Sequence, residues 1–177
     1  GEMFVESNLG EGSTFHFTVL LDEQDAQPKF KRFDKEDFSS LKVLLVDDNK
    51  SCREILNHLL TNFEFKVDQA DSGQLAIEML ENHDKDEPYD LVLMDWRMPG
   101  MDGIETTRTI QSDPKITHFP TVIMISAYNM MELKKVSKDV NFSGLLTKPV
   151  TQSSLHNALH AAIGHEALLP SQPCLLP

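Results

Sequence analysis

The chain has only two cysteines in 177 residues, Cys52 and Cys174. They give no disulfide framework and no metal-binding spacing, so a reducing, cytoplasmic setting is the expectation. Basic residues are also scarce: 16 Lys and Arg stand against 28 Asp and Glu, a formal net charge of -12. That balance argues against nucleic acid or an anionic membrane as a direct partner. No apolar run approaches the length of a transmembrane span, and residues 1–20 lack the basic-then-apolar layout of a signal peptide. Apolar residues nonetheless make up 40%, enough for a packed core. The length suits one core-bearing domain with attachments, or two small domains.

What is present is a regular alternation across residues 41–163. The short apolar run Leu41 to Val46 is followed by Ile55, Leu56, Leu59, Leu60 and Phe63 at helical spacing. A weaker strand, Phe65 to Ala70, precedes a helix carrying Leu75, Ala76, Met79 and Leu80. Leu91 to Met94 is a third strand, with Ile104, Thr107 and Ile110 marking the helix after it. Thr121 to Ile125 is a fourth, followed by a helix over about 129–137. Phe142 to Leu146 is a fifth, and Leu155, Ala158, Leu159 and Ala162 line one face of the last helix. Five strand-then-helix repeats predict an α/β fold with a parallel sheet. Right-handed crossovers then bring all the strand C-termini to one edge, where such sheets bind their ligands. The second strand is the more polar one and suits a sheet edge.

Four of the five strands end in chemistry. The first runs into Asp47-Asp48-Asn49, the third ends on Asp95, the fourth on Ser126-Ala127, and the fifth on Thr147-Lys148-Pro149. Each piece alone has an ordinary explanation: a helix N-cap, a solvated strand end, a turn serine, a loop. Their conjunction along one edge is another matter. Three clustered carboxylates repel one another, and an oxygen-seeking divalent cation holds them charged together. Mg2+ keeps waters and shares oxygens with phosphate, and a carboxylate beside it can serve as a nucleophile. Lys148 and the Ser126 hydroxyl are suited to contact the equatorial oxygens of a transferred phosphoryl group. The Lys148–Pro149 bond is open to either isomer.

The segments VDDN, LVLMDWRMPGMDG, MISA and LLTKP resemble the receiver, or response-regulator, domain of two-component signalling. The resemblance covers residues 41–163. It implies a flavodoxin-like, five-stranded parallel sheet of order 2-1-3-4-5 with helices on both faces. It makes Asp95 the phosphoacceptor, with Ser126 and Lys148 at the family's hydroxyl and lysine positions. Asp47, Asp48, Asp95 and the backbone carbonyl of Arg97 would be the ligands of Mg2+. One position departs from the pattern: Leu145 stands where many receivers carry an aromatic switch residue. Arg97 and Tyr128 take flanking positions that influence phosphoryl lifetime in the family.

The first 21 residues carry a separate signal. Phe15, Phe17 and Val19 alternate with His16 and Thr18, and Gly10 and Gly12 precede them, so a hairpin with His16 facing outward is expected. GEMFVESNLGEGSTFHFTV resembles the end of the ATP-binding domain of histidine kinases. The resemblance implies that the chain is the C-terminal part of a hybrid histidine kinase, whose ATP motifs and phosphorylated histidine would lie before residue 1. No kinase activity is then expected of this chain, only receiver self-phosphorylation and dephosphorylation. Residues 22–40, mostly polar with Phe30, Phe33 and Phe38, read as a linker, and 164–177 as an unstructured tail.

The expected partners are a histidine-kinase catalytic and dimerisation domain, in cis, and a downstream histidine-phosphotransfer protein, with no membrane contact by this chain although the parent kinase would be membrane-anchored. None of the seven histidines has a metal partner at ligand spacing. A Mg2+-dependent phosphatase of the haloacid dehalogenase kind is the enzymatic alternative, but it needs a second aspartate two residues after the nucleophile, and Arg97 stands there. A module working by protein contact alone is the third reading.

Overall fold

The computed structural model describes residues 1–10, 12–20, 41–127 and 140–164. The linker at 22–40, the helix expected over 129–137, Tyr128, and the tail beyond Gly164 lie outside these residues. The chain divides into two compact units, residues 1–34 and 35–177.

The first unit contains an antiparallel hairpin, β1 (Met3–Asn8) and β2 (Gly12–Phe17). Its register puts Met3 opposite Phe17 and Val5 opposite Phe15, all on one face. The expected outward-facing His16 is instead the more covered residue, because its ring stacks on Phe4 with centroids 4.5 Å apart. Phe15 and Phe17 are exposed.

In the second unit, β3 (Lys42–Val46), β4 (Lys66–Ala70), β5 (Leu91–Asp95), β6 (Thr121–Ser126) and β7 (Gly144–Thr147) form one parallel sheet of order β4-β3-β5-β6-β7. Counted within the sheet this is the expected 2-1-3-4-5. All of β5 and β6, and β3 from Val43 onward, are buried, as their continuous apolar runs require. β4 leaves Lys66 and Gln69 exposed and Val67 and Asp68 half-buried, with only Ala70 fully buried, and takes an edge. The fifth strand starts two residues later than its apolar pattern suggests: Phe142 packs on the core as a half-buried side chain, and pairing begins at Gly144 opposite Ile123.

Helices α1 (Lys50–Thr61), α2 (Gly73–His83), α3 (Gly103–Ser112) and α4 (Gln152–Gly164) connect or follow the strands. Three of them start on a side-chain cap: Asn49 accepts from Cys52 N, Ser72 from Leu75 N, and Asp102 from Glu105 N. Each cap satisfies a backbone donor that the helix itself cannot. α2 and α3 meet closely enough that a Cβ on Gly73 would collide with the Thr106 hydroxyl.

Asp84, at the end of α2, ties that helix to the segment leading into β6. It is buried and accepts from Thr117 N at 2.7 Å, Thr117 Oγ1 at 2.6 Å and His118 N at 2.7 Å. The Thr117 hydroxyl first, and then the His118 amide, hold its pKa down at about 2. A depressed carboxyl pKa stabilises the fold above the unfolded pKa of about 4 and loses that contribution as pH falls through the folded one. Asp84→Asn, a mimic of the protonated state, should therefore be less stable than wild type at pH 6. The gap should close progressively between about pH 4 and pH 2. Urea midpoints of the two proteins across that range measure it.

Candidate functional site

The parallel register brings the strand-end residues together. Met94 is opposite Val46, Asp95 opposite Ile125, and Ser126 opposite Thr147. Asp47 and Asp48 leave β3 at the same level, and Lys148 follows β7 directly. The Asp47, Asp48 and Asp95 carboxylates each present an oxygen within 4.8 Å of the others. Lys148 Nζ donates to Asp47 Oδ2 and lies against Asp95 Oδ1, each at 2.8 Å. Asp47, Asp95 and Ser126 are buried, whereas Asp48 is exposed at the mouth. Asn49, Cys52, Arg97 and Ala127 complete the lining of a cavity of about 260 Å³.

The electrostatics of this cavity are unbalanced. Three carboxylates face one ammonium. Burial, more than any other influence, pushes the Asp95 carboxyl above its ordinary pKa; Lys148 pulls it back, and Asp47 and Asp48 add to the rise. Burial alone would depress Lys148. Its bonds to Asp47 and Asp95 outweigh that and hold the ammonium protonated. The site is thus an anionic cup with the Lys148 ammonium bonded to two of its carboxylates, whose oxygens suit a hard divalent ion.

A larger cavity, about 530 Å³, opens among Leu41, Pro88, Tyr89, Asp90, His118 and Phe119 at the other end of the strands. Its carboxylate is already committed, because Asp90 Oδ2 accepts from Lys42 N at 2.7 Å. No comparable cluster of carboxylates lies there among the described residues.

The response regulator receiver domain family matches residues 43–160. The chain belongs to that family. The autoinducer 2 sensor kinase/phosphatase LuxQ of Vibrio parahaemolyticus is 32% identical over 165 residues, 89% of this chain and 18% of that protein. The chain therefore spans about a fifth of the length of that sensor kinase. Chemotaxis protein CheY-3 of Vibrio cholerae is 35% identical over 121 residues, 68% of this chain and 89% of its own. Among solved structures, the receiver domain of the sensor histidine kinase PA1611 from Pseudomonas aeruginosa superposes with a TM-score of 0.61. It is 25% identical over 71% of this chain and 98% of that one, and it holds a magnesium ion in its active-site cleft.

In this receiver the loop after Asp95 is closed by backbone bonds. Trp96 N donates to Ile125 O at 2.9 Å, and Gly103 N donates to Trp96 O at 2.8 Å. Gly100 turns the loop with φ of +77°, a conformation that suits glycine. The Arg97 guanidinium lies 4.5 Å from the Trp96 ring centroid. Lys148 is anchored by its own N–H on Ser126 O at 2.8 Å and precedes a cis bond to Pro149. Leu145 is half-buried on β7 opposite Met124 and packs on the core.

Two further residues hold Asp47, and one of them, Arg53, escapes a reading of strand ends. Asn49 N donates to Asp47 Oδ1 at 2.9 Å, and Arg53 Nη1 donates to the Asp47 carbonyl at 2.5 Å. Asn49 belongs to the strand-end triplet Asp47-Asp48-Asn49, and the structure makes it, rather than either aspartate, the N-cap of α1. Arg53 left no signal beyond one basic residue on a helix.

Gly103 lets α3 start against the end of β5. A Cβ there would collide with the Asp95 carbonyl oxygen and stand 2.9 Å from Met94 Cγ. Helix propensity alone predicts that Gly103→Ala stabilises by up to about 1 kcal/mol. The collision predicts the opposite, a loss of about 1–3 kcal/mol. Urea denaturation decides the sign.

Proposed function

We propose that this receiver accepts a phosphoryl group from a phosphohistidine onto Asp95, with Mg2+ held by Asp47, Asp48, Asp95 and the backbone carbonyl of Arg97. The observation that carries the reading is the placement of Asp95. It ends a wholly buried strand, faces two other carboxylates, and contacts the one ammonium of the pocket.

An Asp95 carboxylate oxygen attacks phosphorus. The P–O bond forms as the P–N bond to the donor imidazole breaks, and the imidazole leaves with a proton taken from solvent. Bound Mg2+ supplies positive charge to the phosphoryl oxygens. Lys148, 2.8 Å from Asp95, supplies a second positive charge, and the Ser126 hydroxyl lines the same cavity as a donor. Asp47 keeps Lys148 charged and oriented through the bond to Oδ2. Hydrolysis then moves the phosphoryl group to water: a water oxygen bonds phosphorus as the P–O bond to Asp95 breaks, releasing inorganic phosphate and the free carboxylate.

The donor must bring its imidazole over the cavity mouth, so it rests on the rim. That rim carries an apolar groove of Cys52, Ile55, Leu56, Pro149 and Val150, with Ile55 61% exposed. A helix presenting a phosphohistidine, from a kinase dimerisation domain or a histidine-phosphotransfer protein, fits a surface of that kind.

Residues 41–163 are on this reading the receiver of a hybrid histidine kinase, 22–40 a linker and 164–177 a tail. Residues 1–21 are the end of the kinase ATP-binding domain. The similarity to a sensor kinase beyond residues 43–160 supports that arrangement, as does the apolar face of the hairpin, Met3, Val5, Phe15 and Phe17.

The test is intact mass after incubation with Mg2+ and acetyl phosphate, beside Asp95→Asn. A single Mg2+-dependent phosphoryl adduct on wild type, absent from the variant, is the expected result. An adduct that persists on Asp95→Asn assigns the acceptor elsewhere. Absence of any adduct, repeated with a phosphohistidine donor, leaves a module that works by contact alone.

A further inference from the structure

Arg53 has no part in the chemistry above, yet it is tied to the same pocket. It stands in the first turn of α1, close behind Lys50, in a helix with no acidic residue in its first turn. A cation there opposes the positive end of the helix dipole. The side chain is turned instead to a contact back along the chain: Nη1 donates to the Asp47 carbonyl at 2.5 Å. Arg53 N–H meanwhile donates to Asn49 O at 3.0 Å. Main chain and side chain of one residue thus close together on the turn that carries the two carboxylates following β3.

The rest of Asp47 is also engaged. Its N–H donates to Ala70 O at 3.3 Å, Oδ1 accepts from Asn49 N at 2.9 Å, and Oδ2 accepts from Lys148 at 2.8 Å. Two successive carboxylates on one turn repel each other, and Asp48 is exposed. The Asp47–Asp48 peptide, whose oxygen Arg53 holds, sets the angle between them.

We propose that Arg53 is a positioning residue of the acidic site, clamping the Asp47 carbonyl so that Asp47 and Asp48 stay aimed at Asp95 and bind a divalent cation together. It acts through Asp47 and is not itself a ligand. The proposal rests on the reading of the cup as a Mg2+ site.

The test is a Mg2+ titration of the metal-free chain, followed by fluorescence of Trp96, its only tryptophan, which is buried next to Asp95. Wild type should saturate. Arg53→Ala should weaken Kd about tenfold, the lower end of the range for residues that orient metal ligands. Arg53→Lys, which keeps a charged donor, should recover most of that loss. Thermal unfolding without Mg2+ shows that each variant is folded and is the quantity a merely structural role would move. Equal or tighter Mg2+ binding by Arg53→Ala, as expected if the guanidinium only repels the cation, overturns the proposal. A wild type that saturates neither in fluorescence nor in titration calorimetry overturns the Mg2+ reading beneath it instead.

Discussion

The ammonium of Lys148 between Asp47 and Asp95 is the interaction on which the site depends. Neighbouring strands lie about 4.8 Å apart, and β7 is three places from β3 in the sheet. A lysine on the outer strand would fall short of Asp47 if it pointed straight up. It reaches with its own N–H fixed on Ser126 O at the end of the neighbouring strand. The contact therefore closes the edge across four strands. Its worth is positional more than energetic, since partly buried pairs return in attraction about what they cost in desolvation.

That contact leaves charge over. One ammonium cannot neutralise three carboxylates, and burial already disfavours ionised Asp95. The fold tolerates the excess because the supporting sheet is rigid: β5 and β6 are buried along their whole length, and α3 begins hard against the Asp95 carbonyl. Repulsion at the strand ends cannot be relieved by splaying strands whose side chains are packed on both faces. The strain is therefore available to whatever brings positive charge to the cup.

Much of this was legible in the residues. Continuous apolar runs announced buried parallel strands, and the polar character of Lys66 to Gln69 announced an edge. Asp47, Asp48, Asp95, Ser126 and Lys148 could be named because strand order and crossover hand bring strand ends together whatever the details of packing. What stayed hidden depends on geometry that residue types do not encode. Arg53 bonds a backbone carbonyl, an acceptor that every residue carries, so its partner has no signature. Phe142 looked like strand because an apolar residue beside Gly144 and Leu145 fits either a strand or a core-facing lead-in. The hairpin misled differently: alternation predicts a covered face only where something packs on it, and Phe15 and Phe17 are exposed.

Leu145 bears on how a signal would leave this pocket. An aromatic ring at that position can turn between a buried and an exposed rotamer and, in tyrosine, carry a hydrogen-bonding group. An aliphatic side chain has no such group, and Leu145 is half-buried against the core opposite Met124. Lys148 offers another route. A phosphoryl group on Asp95 would add negative charge beside the ammonium and draw it from Asp47, and its backbone is bonded to Ser126 at the end of β6. The shift would pass to the segment between β7 and α4, where Pro149 and Val150 line the apolar groove beside Ile55. On the proposed chemistry, the surface that docks the phosphodonor is then also the surface that phosphorylation changes first, which couples release of the donor to completion of the transfer.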